Sequence, residues 1–437
     1  MNNDRRGVDL QFREAYRTLV ARLSRQFGFH RTALIEDAVS AAFLAATQAW
    51  AHHGQPDQPL AWLYRVATNH GIDELRRTIH RAVSLDADDH PPEILAEEDA
   101  VTASQTFDGE IADDELRILF VCADPNIVIE SQLVFALKVM CGFSTREIAR
   151  RLFTSEANIQ KRLERARSKL QEHARVFEVP PIEQLLDRKE GVLQIIYLLF
   201  NEGYLSAQPE RLIRRELCDE AIRLCGLLAT HPEHALPEAD ALLALMLFQA
   251  ARFDARLADD GALLLLEDQD RSRWNRAQIT QGFRALQRSG RGETYSKYHA
   301  EAYIAWLHCK APTYAETEWG LIVREYEVLE KIAPSPLHTM NRAIATAAWK
   351  GPEAGLAILQ SVDPPPWLQR YYLWDAAFGE LERRNGNYEA GRIRLQRALD
   401  EAPHPAEREL LRKRLLECSS GDSTSHDFST IKRGNKK

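Results

Sequence analysis

Apolar residues recur at helical spacing along most of the chain. Between Glu36 and Trp50 they stand three or four positions apart, which predicts an amphipathic helix. Gly54 and Pro56 then break this helix, and a second helical pattern runs from about Pro59 to Arg81. We find no convincing run in which apolar and polar residues alternate as they do in strands. The pattern therefore predicts an all-α protein.

The stretch from Ser144 to Leu170 predicts two shorter helices joined by a turn. Ser144 and Glu147 have the spacing of a capping box, and Ser155 caps the following helix. Phe153-Thr154 forms the turn between them, which makes a helix-turn-helix pattern. A generic helical hairpin is the alternative interpretation. The face presented to a DNA groove would consist of Ser155, Asn158, Lys161, Arg162 and Arg165.

Charge is distributed in blocks that the net value of −8 conceals. Twelve acidic residues and no Lys or Arg lie between Asp86 and Glu115. Outside that stretch, residues 1–175 carry 22 basic and 14 acidic residues. Two moderately basic blocks thus flank an acidic connector, an arrangement compatible with nucleic-acid binding despite the acidic total.

The first basic block interleaves aromatic residues with Arg and Asn on one predicted helix. Arginines neutralise phosphates and an amide can read a base edge, so this pattern suits single-stranded nucleic acid. An amphipathic helix with a solvated basic face is the alternative. The polar residues concerned are Arg65, Asn69, Arg76, Arg77, His80 and Arg81.

The second half of the chain predicts more helices and no catalytic site. Near its end Gly379, Gly386, Leu395, Ala398 and Pro403 fall at tetratricopeptide (TPR) spacing. The acidic cluster at 267–270 could hold a metal or do acid/base work, but Arg271, Arg273 and Trp274 follow it and favour a structural network of charges and hydrogen bonds. His299, His308 and His338 are interpreted as packing or surface residues, and the six cysteines as buried thiols. We predict no catalytic residues, metal or cofactor.

Together the two basic blocks resemble extracytoplasmic-function (ECF) sigma factors of bacterial RNA polymerase. The segment Asp37–Phe43 resembles the helix that docks on the polymerase, although Ser40-Ala41 replaces the usual Gln-Glu. Trp62–Arg77 resembles the element that opens the promoter −10 region, and the helix-turn-helix resembles the −35 reader. The resemblance adds Asp73 to the −10 residues, Gln160 to the −35 residues, and Asp37 and Phe43 as polymerase contacts.

The second half narrows the resemblance to ECF sigma factors with a large TPR-like extension. The segments that resemble this extension are Leu198–Tyr204, Leu217–Leu224, Leu265–Trp274 and Pro334–Ala343. The domains expected are sigma region 2 over 1–82, an acidic linker over 83–110, sigma region 4 over 111–178, a TPR-like helical regulatory domain over 179–418 and a disordered tail over 419–437.

The resemblance implies a cytoplasmic protein that binds core RNA polymerase and promoter DNA and has no enzymatic activity. No apolar run reaches the roughly 18 residues of a membrane span, and the first residues lack the apolar stretch of a secretory signal. A polymerase-independent helix-turn-helix regulator with a ligand- or protein-sensing helical domain is the alternative. Whether the extension clamps the sigma domains or binds another protein is left open. Truncation after Val179 is expected to preserve soluble DNA-binding domains and to reduce promoter-directed transcription.

Overall fold

The computed structural model describes most of the chain and divides it into two compact units. The described ranges are 15–16, 18–85, 114–152, 154–172, 182–205, 213–230, 236–258, 262–369 and 371–431. The first unit ends at Leu199 and the second begins at Phe200. Both are α-helical, as predicted, and the described residues contain no strand beyond a single bridge between Leu257 and Leu263. The acidic segment 86–113 and the predicted boundary at 179–181 lie outside the described residues.

Unit 1 contains eight helices within its described residues, of which the last continues into unit 2. They are α1 (18–27), α2 (Thr32–His53), α3 (Pro59–Leu85), α4 (Asp114–Cys122), α5 (Ile129–Cys141), α6 (Thr145–Arg151), α7 (Glu156–Glu172) and α8 (Ile182–Tyr204). Helix α2 packs against α3 and ends at Gly54, whose φ of 75° lies in the region that favours glycine.

Unit 2 contains helices that pack mainly on their neighbours in sequence. They are α9 (Arg215–Ala229), α10 (Pro237–Ala250), α11 (Arg276–Ser289), α12 (Lys297–Lys310), α13 (Trp319–Ile332), α14 (Pro336–Lys350), α15 (Pro352–Gln360), α16 (Pro366–Gln369), α17 (Tyr372–Arg384), α18 (Tyr388–Glu401) and α19 (Pro405–Ile431). Helix α19 continues past Ser419, where we had expected a disordered tail to begin, and only 432–437 lie beyond the described residues.

Small residues set the close approach of α17 and α18, as their spacing predicted. A Cβ atom added to Gly379 would lie 2.7 Å from Cγ of Leu395 and 3.0 Å from its backbone nitrogen. A Cβ atom on Gly391 would lie 3.0 Å from the carbonyl oxygen of Gly379. Gly386 turns the chain between the two helices with a φ of 83°. These helices therefore pack backbone to backbone, which larger residues at 379 and 391 would prevent.

The boundary between the units falls inside α8, later in the chain than the predicted boundary at 179–181. Arg188 donates hydrogen bonds to the carbonyl oxygen of Phe120 at 2.9 Å and to Asp124 at 3.0 Å. Gly191 lies against Gln132 and Ala123, where a Cβ atom would come within 2.6 Å of the Gln132 side chain. The beginning of α8 therefore belongs structurally to unit 1.

Candidate nucleic-acid interface

One exposed stripe runs along α3. Arg65, Asn69, Asp73 and Arg76 are all exposed, and their spacings of four, four and three residues place them on one face of the helix. At 1.5 Å per residue the stripe is about 16 Å long. The structure thus brings together four of the five residues predicted to contact the −10 element, and the Asn69 amide lies between the Arg65 guanidinium and the Asp73 carboxylate.

Arg77, the fifth predicted residue, lies beside this stripe and is partly engaged. Its Nη1 atom forms an ion pair with Oε1 of Glu74 at 2.6 Å, and the arginine side chain is largely exposed. An exposed pair of this kind contributes at most about 1 kcal/mol, so a phosphate can compete for the guanidinium. The side chains of His80 and Arg81 lie outside the described residues.

Contacts with neighbouring helices fix the position of α3. Tyr64 donates a hydrogen bond to Oε1 of Gln26 on α1 at 3.0 Å. Trp62 packs against Trp50 at the end of α2, with ring centroids 5.6 Å apart. Gly71 lies so close to the ring of Phe27 that a Cβ atom would come within 2.8 Å of it. Tyr64 and Gly71 lie on the side of α3 opposite the stripe, whereas Trp62 lies on the face of the stripe, one turn before Arg65.

Local caps and a small core build the two helices α6 and α7. The predicted capping box at Ser144 and Glu147 is confirmed, since each side chain bonds the backbone of the other residue. The Ser155 hydroxyl accepts a hydrogen bond from the backbone N–H of Asn158 at 3.2 Å, as a cap of α7 should. Ile148 and Ile159 are fully buried where the two helices pack. Phe153, predicted to form the turn, lies outside the described residues.

One flank of α7 carries the predicted DNA contacts, with one exception. Lys161 and Arg165 are exposed, and Asn158 and Arg162 are half-buried on the same flank. The Asn158 amide donates to the Thr154 hydroxyl at 2.8 Å, which orients its side chain. At 100° per residue, Gln160 falls on the opposite flank of the helix from Asn158, Arg162 and Arg165, and about 100° from Lys161. The structure therefore separates Gln160 from the other predicted −35 residues.

Arg167 lies on the flank that carries Gln160 and was not singled out in the sequence. Its Nη2 atom forms an ion pair with Oε1 of Glu36 on α2 at 3.0 Å, and both side chains are mostly buried. Nearby in the same unit, Gly142 adopts a φ of 62° and lies against the ring of Tyr16. These contacts join the half of unit 1 that contains the helix-turn-helix to α2 and to the residues just before α1. No local sequence signal indicates the pair, because its members are 131 residues apart.

The predicted polymerase-docking helix, α2, exposes a mixed polar and apolar face. Asp37 is exposed, and Leu44, seven residues later on the same face, is 63% exposed. Phe43 is half-buried and lies on a different face from Asp37. The Ser40 hydroxyl donates a hydrogen bond to the carbonyl oxygen of Glu36 at 2.8 Å. Leu44 was not among the predicted docking residues, although its position two helical turns after Asp37 places it on the same face.

In unit 2, the acidic cluster that suggested a catalytic site is used structurally. Glu267 pairs with Arg384 at 2.6 Å and with Arg414 at 3.2 Å. Arg271, which directly follows the cluster, does not pair with it. Arg271 instead donates to the carbonyl oxygens of His308 and Ala311, each at 2.7 Å. The predicted charge network exists: Glu267 takes its cations from distant helices, whereas Asp270 interacts with the neighbouring Arg273.

Cys218, Cys225, His299 and His338 of unit 2 are packing residues, as predicted. Cys218 and Cys225 are buried on α9, and burial raises the pKa of both thiols, so they stay protonated. Burial also lowers the pKa of His299 and His338, whose rings bond backbone carbonyl oxygens. Within the described residues, no group of three His, Cys, Asp or Glu side chains could hold a metal ion. None of the described helices is long and apolar enough to cross a membrane.

Comparison with known families gives three matches along the chain. Residues 12–80 match Sigma-70 region 2 and residues 130–170 match Sigma-70 region 4, which are the segments that contain the α3 stripe and the α7 flank. Residues 188–290 match a family of unknown function, DUF6596. No solved structure matches the chain.

Two curated proteins are similar to it. An uncharacterized protein of Rhizobium meliloti (strain 1021) is 36% identical over 391 residues, covering 89% of this chain and 90% of that protein. The chain belongs to the same family as this protein. A probable RNA polymerase sigma factor, RfaY, of Xanthomonas campestris pv. campestris is 31% identical over 133 residues, covering 30% of this chain and 32% of RfaY.

Regions 2 and 4 together indicate that this family member is an RNA polymerase sigma factor. The partners of a sigma factor are core polymerase and promoter DNA. Its role is transcription initiation rather than enzymatic catalysis. The DUF6596 match begins at Arg188, inside α8, and therefore includes the residues of α8 that pack in unit 1.

Proposed function

We propose that this chain is an ECF-type sigma factor that binds core RNA polymerase, directs it to specific promoters and helps to melt the DNA. The observation that carries the proposal is the pair of exposed basic helix faces, on α3 in region 2 and on α7 in region 4. A regulator that binds DNA without polymerase needs only the face on α7. The stripe on α3, which contains two arginines, an amide and one carboxylate, suits an opened DNA strand.

Runoff transcription with purified core polymerase and genomic promoter fragments tests this proposal. We expect transcripts from specific start sites only when the chain is added. If the chain instead binds duplex promoter DNA without core polymerase and never yields specific transcripts, it is the polymerase-independent regulator considered above. Permanganate footprinting of the same reactions reports whether the strands open.

The exposed face of α2 supports polymerase docking and yields a prediction. Leu44 is a large apolar side chain that water surrounds, and its burial in a complex would contribute about 1.5–3 kcal/mol. Leu44→Glu should therefore weaken binding to core polymerase by about tenfold to a hundredfold. Fluorescence titration of labelled chain with core polymerase measures the change.

Val128→Glu is the matched control for Leu44→Glu. Val128 is also an aliphatic residue of unit 1 and is 60% exposed, but it precedes α5 in the region-4 half of the unit. The control should bind core polymerase as the unmodified chain does. Equal affinity of both variants for core polymerase would remove Leu44 from the docking surface.

We further propose that the second unit is a TPR-like module that regulates the sigma domains. The close packing of α17 on α18 supports this architecture, and the structural use of the 267–270 cluster removes the simplest enzymatic account. The partner of the module is either another protein or the sigma domains of the same chain.

Truncation tests the regulatory role, and the structure changes the residue after which the chain should be truncated. A chain ending at Leu199 retains the hydrogen bonds of Arg188 to Phe120 and Asp124, whereas one ending at Val179 loses them. Hydrogen bonds of this kind contribute about 1–2 kcal/mol each. The shorter chain lacks both, so it should unfold at lower urea, with a free energy of unfolding about 2–4 kcal/mol smaller. The longer chain should be soluble but transcribe native promoters poorly. Full transcription by 1–199 would contradict the regulatory role, and equal stability of the two truncations would contradict the new boundary.

A further inference from the structure

Unit 2 contains a partly open cavity that no comparison assigns. Its volume is about 400 Å³, and its wall is formed mainly by apolar side chains of α12 to α14 and α17 to α19. Trp319, Ile322 and Met340 are representative of this wall. A volume of this size lies at the lower end of the range for small-molecule sites.

The charges on the cavity wall neutralise one another. Arg384 pairs with Glu267 and with Glu380, each at 2.6 Å, and Arg414 pairs with Glu267 at 3.2 Å. Two guanidinium groups thus face two carboxylates. A charged ligand would have to break one of these pairs or be buried without a counter-ion, and both are costly.

The remaining polar groups on the wall are neutral. Nδ1 of His308 is buried and has no hydrogen-bond partner among the described residues. Burial lowers the pKa of this imidazole to about 3, so it carries no charge at neutral pH. The side-chain amide of Asn341 makes no hydrogen bond with the described residues. Burial raises the pKa of Tyr314, whose hydroxyl therefore stays protonated. The Tyr314 hydroxyl is already hydrogen-bonded to Arg384, which leaves Asn341 and His308 to bond a neutral polar atom of a ligand.

We propose that this cavity is a binding site for a small, uncharged, mainly apolar organic molecule with one hydrogen-bonding group, which Asn341 or His308 holds. The apolar wall provides the affinity and the neutral polar groups provide the orientation. The proposal goes beyond the proposed function, because it depends only on the geometry of unit 2.

Fluorescence titration of the full-length chain with N-phenyl-1-naphthylamine tests the site. This probe is neutral and apolar, has one N–H group and brightens in apolar surroundings. We expect saturable binding at one site. The analogue 8-anilino-1-naphthalenesulfonate has the same rings and a negative charge, and should bind at least about tenfold more weakly, because no counter-ion is free for it.

Variants locate the probe. Ile344 lines the cavity and is 40% exposed, so Ile344→Glu adds a charge at the wall with little effect on the core and should weaken binding at least about tenfold. Ile332→Glu is the matched control, since Ile332 is 43% exposed and does not line the cavity, and it should bind normally. Asn341→Leu keeps the shape and removes the amide, which should weaken binding about fivefold.

Several results would overturn the proposal. The first is the absence of saturable probe binding, and the second is an equal affinity for the probe and its charged analogue. The third is that Ile344→Glu and Asn341→Leu both bind the probe as the unmodified chain does. The fourth is that the Ile332→Glu control loses as much affinity for the probe as Ile344→Glu. Binding that appears only after residues 432–437 are removed would show that the chain's own end fills the cavity, and would also overturn it.

Discussion

Replacing Lys161 and Arg165 with alanine should weaken promoter binding by the polymerase–sigma complex about tenfold to a hundredfold at low salt, since each charge-assisted contact contributes on the order of 1 kcal/mol or more. Both side chains are exposed on the same flank of α7. Each phosphate they neutralise releases counterions, so the slope of log affinity against log salt should become shallower by about 1.8. Filter binding or fluorescence anisotropy over a salt titration measures both quantities.

The matched control removes the same charge elsewhere. Arg284 and Arg397 are exposed residues of unit 2, and Arg284→Ala/Arg397→Ala should leave the affinity and the slope unchanged. Gln160→Ala should also have little effect, because Gln160 lies on the opposite flank of α7. If the Lys161/Arg165 variant and the Arg284/Arg397 variant change the slope equally, net charge rather than the α7 flank determines DNA binding.

Asn69→Ala should slow open-complex formation about fivefold to a hundredfold while leaving core binding intact. The loss of one good base contact costs about 1–3 kcal/mol, and Asn69 lies in the middle of the exposed α3 stripe between Arg65 and Asp73. Because no described neighbour holds its amide, the substitution should not disturb the fold. Permanganate reactivity of the promoter, followed over time, measures strand opening.

Thr78→Ala is the control on the same helix. Thr78 is exposed on the side of α3 opposite Asn69, and its hydroxyl donates only to the Glu74 carbonyl at 2.9 Å. It should open the promoter at the normal rate. Normal permanganate reactivity with Asn69→Ala would exclude Asn69 as a reader of the opened strand.

The sequence was most informative where the determinants of structure are local. Helical periodicity, the capping box at Ser144 and Glu147, and the cap at Ser155 depend on residues within four positions of one another, and all three appear as predicted. The α3 stripe could be derived for the same reason, because a fixed rise and turn per residue place Arg65, Asn69 and Arg76 on one face. The small residues of α17 and α18 likewise indicated their close packing.

Exposure refined these predictions in ways that spacing alone could not. The sequence pattern does not show which apolar residues lack a packing partner, so it did not indicate that Leu44 is exposed, and Phe43 was named through the resemblance. Gln160 entered the −35 set through the resemblance, and the burial of Ile159 and Leu163 fixes the rotation of α7 that turns Gln160 to the opposite flank. In both cases the orientation of the helix against its core decided the outcome.

By itself, the sequence determined the helical class, the two basic faces and the absence of a recognisable catalytic motif. Only the tertiary structure decided which distant residues meet. Arg167 pairs with Glu36 across 131 positions, and Arg384 with Glu267 across 117. The cavity wall combines side chains from six helices of unit 2. Such contacts depend on how whole helices pack, which is set by the shapes of many side chains at once and leaves no periodic signal along the chain.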